Sequence, residues 1–409
     1  MTDLTTRLTI DLENDPLLRG LLSSSKGVSR FSNEVQRNMR QSDREVSRFA
    51  RNAKRQLGGL KNLSGNIGNF KNELLALGGA WAGATILKDS AKLGKVLDRM
   101  ANTAGVARRE TTKMRNVYFD IQKSNGVIVD QSRAATDKML QSGLSLKESL
   151  VSTRAVANTS AVSHAPTTNI AEGLTVGAQT FNWDLSKEGV AADKLDKMYF
   201  AGDLGSAELE HLSSIFSKVG THARSAGMTF EGTLAFIEQL SKTEQNPEKL
   251  ATLAESTLRI FNNKQYQKNI ADTLGIDFYN KDGSARNSFD VLQEFKTRWY
   301  DKQVTDEQRS NLFNASVGKT DLDTQRGMKI LMLDNNLASM YKFRDRINTE
   351  SSGLVEKKLP GAIDNSVDQM SRLKGAMRES LDTMAMPINK AVSGAIQLAL
   401  DPKSAGGLG

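Results

Sequence analysis

The sequence predicts a mainly α-helical fold: an elongated coiled-coil-like helix, a compact multi-helix core with one small β-hairpin, and C-terminal helices. Three observations lead there. Aromatic residues are only 6% of the chain, which favours helices packed through Leu, Ile, Met and Ala over a β-sandwich. Apolar residues from Val28 to Ala84 recur at alternating three- and four-residue spacing. Beyond Lys95 the chain reads as short amphipathic stretches broken at glycines, each with helix start and stop signals.

The 409 residues are enough for two or three domains, and 38% hydrophobic residues supply a real core. Residues 1–27 read as an N-terminal arm, 28–94 as a basic coiled-coil-like segment and 95–300 as the compact helical core. Residues 301–350 read as a helical extension, and 351–409 as C-terminal helices with a Gly-rich tail. Cysteine is absent, which rules out disulfides, thiolate metal sites and a cysteine nucleophile. Acidic residues at Asp3, Asp11, Glu13 and Asp15, with no long apolar run behind them, do not read as a secretory signal. The net charge of +8 is local: Lys26 to Lys71 holds eleven Lys or Arg against Glu34, Asp43 and Glu45, so the rest of the chain is neutral in sum. A basic, partner-binding segment is joined to a balanced molecule.

In the arm, Leu4, Leu8, Ile10 and Leu12 precede Pro16 and a leucine-rich stretch to Leu22. This fits either a loosely ordered terminus or a hydrophobic docking peptide. The periodic segment follows, with Val46, Phe49, Leu60, Leu63, Ile67, Phe70, Leu74, Leu77 and Trp81 on its stripe and Ser42 and Gln56 interrupting it. A 3.5-residue period of this length predicts self-association, as a trimer or hexamer, because such a stripe is of little use to a lone helix. Glycines 58, 59, 65 and 68 predict bends, each weakening the helix by roughly 1 kcal/mol relative to Ala. Arg37, Arg40, Arg44, Arg48, Arg51 and Arg55 stack along one side. They suit nonspecific contact with DNA phosphates, or an acidic protein surface, or plain solvation. Residues 74–87, LLALGGAWAGATIL, are fourteen uncharged residues where a membrane span needs roughly 20. They fit a buried helix packed through small residues, or a stretch that enters a host membrane transiently.

The core elements follow in order. A helix ends at Leu97–Ala101, with Gly105 at the turn, and the next runs from Arg109 to Lys123. Val129 to Leu140 is helical and Gly143 closes it, since a left-handed backbone costs glycine little. Ser145 and Glu148 have capping-box spacing and open Leu146–Ala161. Pro166 opens a helix to about Phe181, and Asp184 or Ser186 opens one through Met198. Leu209–Val219 and Thr229–Leu240 come next. Asn246-Pro247-Glu248 starts a helix to about Phe261. Asp282-Gly283 between short runs predicts the tight β-hairpin, and its acids lack the spacing of a calcium loop. Phe289–Trp299 is helical and Thr305 starts another helix ending at Gly318. Leu322–Ile347 reads as one long helix. Gly353, Pro360 and Gly361 read as a joint before Val367–Leu400, which Pro387 interrupts.

No catalytic constellation is legible. His164, His211 and His222 match no metal spacing, and the zinc-protease, phosphate-loop, dinucleotide and nucleophile-elbow motifs are absent. Glu208, Glu210 and His211 share a helix, a grouping common by chance. No cofactor is expected, and the reading is non-enzymatic.

Five phrases carry a family resemblance. Ala101-Asn102-Thr103-Ala104-Gly105-Val106 and Ala134 to Ser145 resemble the helix-boundary phrases of the core domain of phage tail tape-measure proteins. Phe181, Asn182 and Asp193-Lys194-Leu195 resemble the next phrase, and Gly227 to Ala235 the fourth. Leu274 to Leu292 resembles the closing hairpin and helix. Ser142 replaces a usual alanine, and Asp196-Lys197 follow where an apolar pair is usual. The resemblance spans about 95–300. It implies a structural ruler in the virion tail lumen, assembled in the host cytoplasm, around which tail-tube subunits polymerise. It further implies contacts with tail-tip or baseplate hub proteins and assembly chaperones, and release before DNA passes. Fully helical, 409 residues would span only roughly 610 Å, so the resemblance implies a short tail or a portion of a longer member. The alternative is an oligomeric, secreted or assembly-associated helical protein that contacts nucleic acid or membrane through residues 26–87.

Overall fold

A computed structural model describes residues 80–300, 304–333, 335–365 and 367–376, a few further positions up to Asn389, and side chains from Asp89 onward. The chain divides into two units. One is Met100–Gly375; the other comprises Met1–Arg99 with Ala376–Gly409, most of it outside the described residues. The expected coiled-coil segment 28–84 lies outside them too, except that the backbone of Ala80–Ala84 opens helix α1 (Ala80–Thr103).

Helices follow one another closely: α2 (Glu110–Asn125), α3 (Val129–Gln141), α4 (Leu146–Ser163), α5 (Thr167–Phe181), α6 (Val190–Gly202), α7 (Leu209–Ser225) and α8 (Phe230–Ser241). Then come α9 (Pro247–Asn262), α10 (Lys264–Leu274), α11 (Ser288–Trp299), α12 (Asp306–Ser316), α13 (Leu322–Met332), α14 (Asn336–Glu350) and α15 (Leu354–Ala362). Residues 367–376 are again helical.

The expected β-hairpin does not form. Among the described residues there is no strand, only one isolated bridge between Tyr279 and Ala285. The Asp-Gly turn is real: the Asn280 and Gly283 N–H groups donate to Ser284 and Asn280 carbonyls, and Asp282 accepts from the Ser284 N–H. What is missing is room. Gly275 ends α10 just before it and Asn287 caps α11 just after, so no ladder can extend. The fold is all-α.

Turn chemistry sets the helix corners. Three corners share one backbone pattern, with Gly105, Gly143 and Gly227 left-handed at φ +64°, +93° and +76°. In each, the N–H after the glycine reaches five residues back, Val106 to Ala101, Leu144 to Met139 and Met228 to Ala223. At the second and third corners a hydroxyl then caps the next helix. Ser145 Oγ accepts from the Glu148 N–H within a full capping box, and Thr229 Oγ1 accepts from the Gly232 N–H. Asn246 caps α9 ahead of Pro247, and Thr305 with Gln308 forms a capping box for α12.

Three boundaries differ from expectation. The helix expected from Asp184 or Ser186 starts only at Val190, after left-handed Gly189. Pro360 and Gly361 lie inside α15 rather than in a joint; left-handed Gly353 alone marks the turn. Leu322–Ile347 is broken in two. Leu333 is extended, and Asn336 Nδ2 donates to the Ile330 carbonyl.

The helices pack as two rows. In one, α3, α5, α7, α9 and α13 each lie against the next; in the other, α4, α6, α8 and α14 do the same. Helix α15 lies on α4 and α6, and α10 pairs with α12. One apolar cluster runs from Ala135 to Ile347, and a small separate one joins Ile121, Val127 and Ala157. Rings knot the middle: Phe230 meets Trp183 at 4.7 Å and Phe216 at 5.4 Å, both edge-on. Helix α8 is the axis of this packing. Every residue but Glu231 is buried, because α6, α7, α9, α13 and α14 surround it.

Candidate functional site

The residues expected to carry assembly are not brought into view. Val46, Phe49, Leu60, Leu63, Ile67, Phe70, Leu74 and Leu77, and Arg37, Arg40, Arg44, Arg48, Arg51 and Arg55, lie outside the described residues. Trp81 falls in α1 by its backbone alone. No helix among the described residues is long and apolar enough to cross a membrane.

Among the described residues the titratable groups do not converge into a reaction centre. His164 ends α4 in a left-handed conformation at φ +61°. His211 is exposed, and His222 lies 4.0 Å from Glu255 on the α7–α9 face. Glu210 accepts from Asn169 Nδ2, while Glu208 and His211 face solvent, so that trio is not gathered. Among the described residues no three His, Asp or Glu side chains are grouped to hold a metal ion. A shallow hollow of about 510 Å³ beside α12 is lined by Val304, Gln308, Asn311, Leu312 and Ala315, none of them titratable.

The polar chemistry is internal and serves positioning. Glu238, on α8, has no exposed surface. Its Oε2 accepts from the Ala207 N–H at 3.2 Å and from Ser241 Oγ at 3.0 Å, while Oε1 has no partner. Ser241 Oγ also accepts from the Ser206 N–H, so α8 holds the 205–207 turn through two side chains. Gly205 sits directly on the carboxylate: a Cβ there would lie 2.0 Å from Oε2. Burial dominates these hydrogen bonds and pushes the Glu238 carboxyl up from 4.5 to about 8, so it is protonated at neutral pH. Sequence reasoning missed this group. The one local hint is the apolar run Leu234-Ala235-Phe236-Ile237 with Leu240 beyond it; the burial itself comes from the helices packed around α8.

A second anchor closes the far end of the chain onto α6. Asp196 accepts from the Gly353 N–H at 2.8 Å and the Val355 N–H at 2.9 Å, capping α15 from 157 and 159 residues away. Burial holds its carboxyl above the ordinary value, against those two donors. Lys358 Nζ, on α15, donates to Tyr199 Oη of α6 and pairs with Asp203, the C-cap of that helix. These contacts fix helices to one another. They make no reaction centre.

Residues 120–318 match the family described as phage-related minor tail protein, a span of just under half the chain that runs from α2 to the end of α12. It takes in the phrases from Ala134 to Leu292 and leaves out Ala101–Val106. No curated protein and no solved structure matches the chain.

Proposed function

We propose that this chain, similar through residues 120–318 to phage-related minor tail proteins, is a non-catalytic structural component of a phage tail and acts there as the tape measure. That similarity is the observation that carries the tail reading. The ruler reading rests on the ordered phrases from Ala101 to Leu292 and on the heptad stripe of residues 28–84. In this reading several copies associate through Val46, Phe49, Leu60, Leu63, Ile67, Phe70, Leu74, Leu77 and Trp81 and lie in the tail lumen. They template tail-tube polymerisation, contact tail-tip or baseplate proteins and chaperones, and leave before DNA ejection. The packed two-row domain contributes little to length, because its helices fold back on one another. Length resides in stretches that can run extended.

The test is electron microscopy of tails from phage carrying an in-frame deletion of four heptads within residues 28–84. Tails should shorten by roughly 42 Å, at 1.5 Å per helical residue. Tails of unchanged length remove the ruler and leave an internal tail protein. Absence of the chain from purified tails removes the tail reading altogether.

A further inference from the structure

The corner at Asn182 completes a set. Asn182 is left-handed at φ +57°, and the Trp183 N–H reaches five residues back to the Ala178 carbonyl at 3.0 Å. The corners at Gly105, Gly143 and Gly227 close with the same bond. The four left-handed residues, Gly105, Gly143, Asn182 and Gly227, follow one another at intervals of 38, 39 and 45 residues. Each corner joins one helix to the next: α1 to α2, α3 to α4, α5 to α6 and α7 to α8. Each also repeats one side-chain pattern. The residue after the left-handed one is apolar (Val106, Leu144, Trp183, Met228), and the residue that accepts its N–H is buried (Ala101, Met139, Ala178, Ala223). The last interval is longer because α6 starts only at Val190.

Contacts between stacked helices keep nearly the same interval. Between α2 and α4, Asn125 Nδ2 donates to Asn158 and Arg154 to Asp120, partners 33 and 34 residues apart. Between α3 with its C-cap Ser142 and α5, Thr167 Oγ1 donates to the Gln131 carbonyl and Gln179 Nε2 to the Ser142 carbonyl, 36 and 37 residues apart. Between α5 and α7, Asn169 Nδ2 donates to Glu210, 41 residues on. A near-constant interval between partners means parallel helices stacked in step, which brings the corners to one edge. There the Arg224 guanidinium lies 5.7 Å from the centre of the Phe181 ring, and Trp183 meets Phe230. A unit of this size cannot bury its apolar side alone and does so by stacking on its neighbour. We propose that α1–α8 are a tandem array of one helical-hairpin unit of about 40 residues, and that the array yields one hairpin at a time when the chain is pulled. Stability in such an array is close to a sum over units and nearest-neighbour interfaces. The repeat stops at α8, where α9, α13 and α14 close over it, and α15 lies across α4 and α6 as a strap. This property stands apart from the tail reading and does not rest on it.

Single-molecule stretching of the full chain, held by handles at its two ends, tests it. Release of the α15 strap comes first. The α3–α4 and α5–α6 hairpins should then yield separately, each adding roughly 130–160 Å of contour length at about 3.3–3.6 Å per residue. The chain has no cysteine, so an introduced staple can assign the steps. Thr136 Oγ1 and Thr153 Oγ1 lie 2.7 Å apart across the α3–α4 hairpin, 17 residues apart in the chain. Thr136→Cys with Thr153→Cys, oxidised, should shorten one step by roughly 60 Å, leave the other unchanged and regain the full step on reduction. One transition for the whole of Met100–Gly375 overturns the array. So does a staple that shortens only a step longer than one hairpin. If the reduced cysteine pair alters the stretching pattern, the unmodified chain decides alone.

Discussion

Replacing Glu238 by Gln should make the protein more stable, and increasingly so as pH rises. The carboxyl titrates near 4.5 when unfolded and at about 8 when folded. Between those values the folded state holds a proton that the unfolded state has released. Stability is therefore lost as pH rises from 4.5 to 8, at about 1.4 kcal/mol per pH unit for this one group. The full window amounts to roughly 5 kcal/mol, against a total of about 5–15 kcal/mol for a typical domain. Glutamine keeps an oxygen to accept from the Ala207 N–H and Ser241 Oγ, and places its amide where Oε1 already lacks a partner. It never ionises. Urea unfolding of both proteins at pH 5, 6, 7, 8 and 9 measures the difference. The gap should widen through this series and level off above pH 8, while other groups cancel between the two proteins. Parallel pH profiles would refute the reasoning, because they would mean that the folded carboxyl ionises as easily as the unfolded one.

Three further perturbations separate backbone strain from packing, and polar anchoring from both. Gly143→Ala meets nothing within 4 Å but must hold φ at +93°, so it should cost about 1 kcal/mol in thermal or urea unfolding. Gly205→Ala, with ordinary backbone, should cost about 1–3 kcal/mol or more, because its Cβ falls on the Glu238 side chain and 2.8 Å from the Glu238 carbonyl. Asp196→Ala strips both acceptors from the Gly353 and Val355 N–H groups and should cost about 1–3 kcal/mol, read as faster amide exchange at those two positions.

What the sequence made legible was local chemistry. Ser145 with Glu148, Asn246 with Pro247, and Thr305 with Gln308 each mark a helix start, because a cap needs only residues a turn apart. The Asp-Gly turn was legible for the same reason. Its strands failed because α10 and α11 claim the flanking residues. The break at Leu333 was hidden for a different reason. Apolar spacing continues through Met328, Leu331, Leu337 and Met340, but α13 packs on α9 in one row and α14 on α8 in the other. One straight helix cannot serve both, and that requirement is tertiary. Glu238 was overlooked because its burial follows from five surrounding helices. The Asp196 anchor spans 159 residues and leaves no local mark. The stripe and the arginine face belong to residues outside the described part, so they stand as expectations.

The Asp196–Val355 bond has a bearing on how the chain is made. Helix α6 leaves the ribosome 159 residues before the amide that its carboxylate accepts. At about 5–20 residues per second, that is a wait of roughly 8–30 seconds. Helix α8 likewise emerges well before α14, which covers one of its sides. The first row can zip up nearest neighbour by nearest neighbour as it appears, but the second stays open on an apolar flank until α14 and α15 arrive. Between the synthesis of Ser241 and that of Leu354, a nascent chain therefore carries apolar surface on α6 and α8 that only the later helices cover.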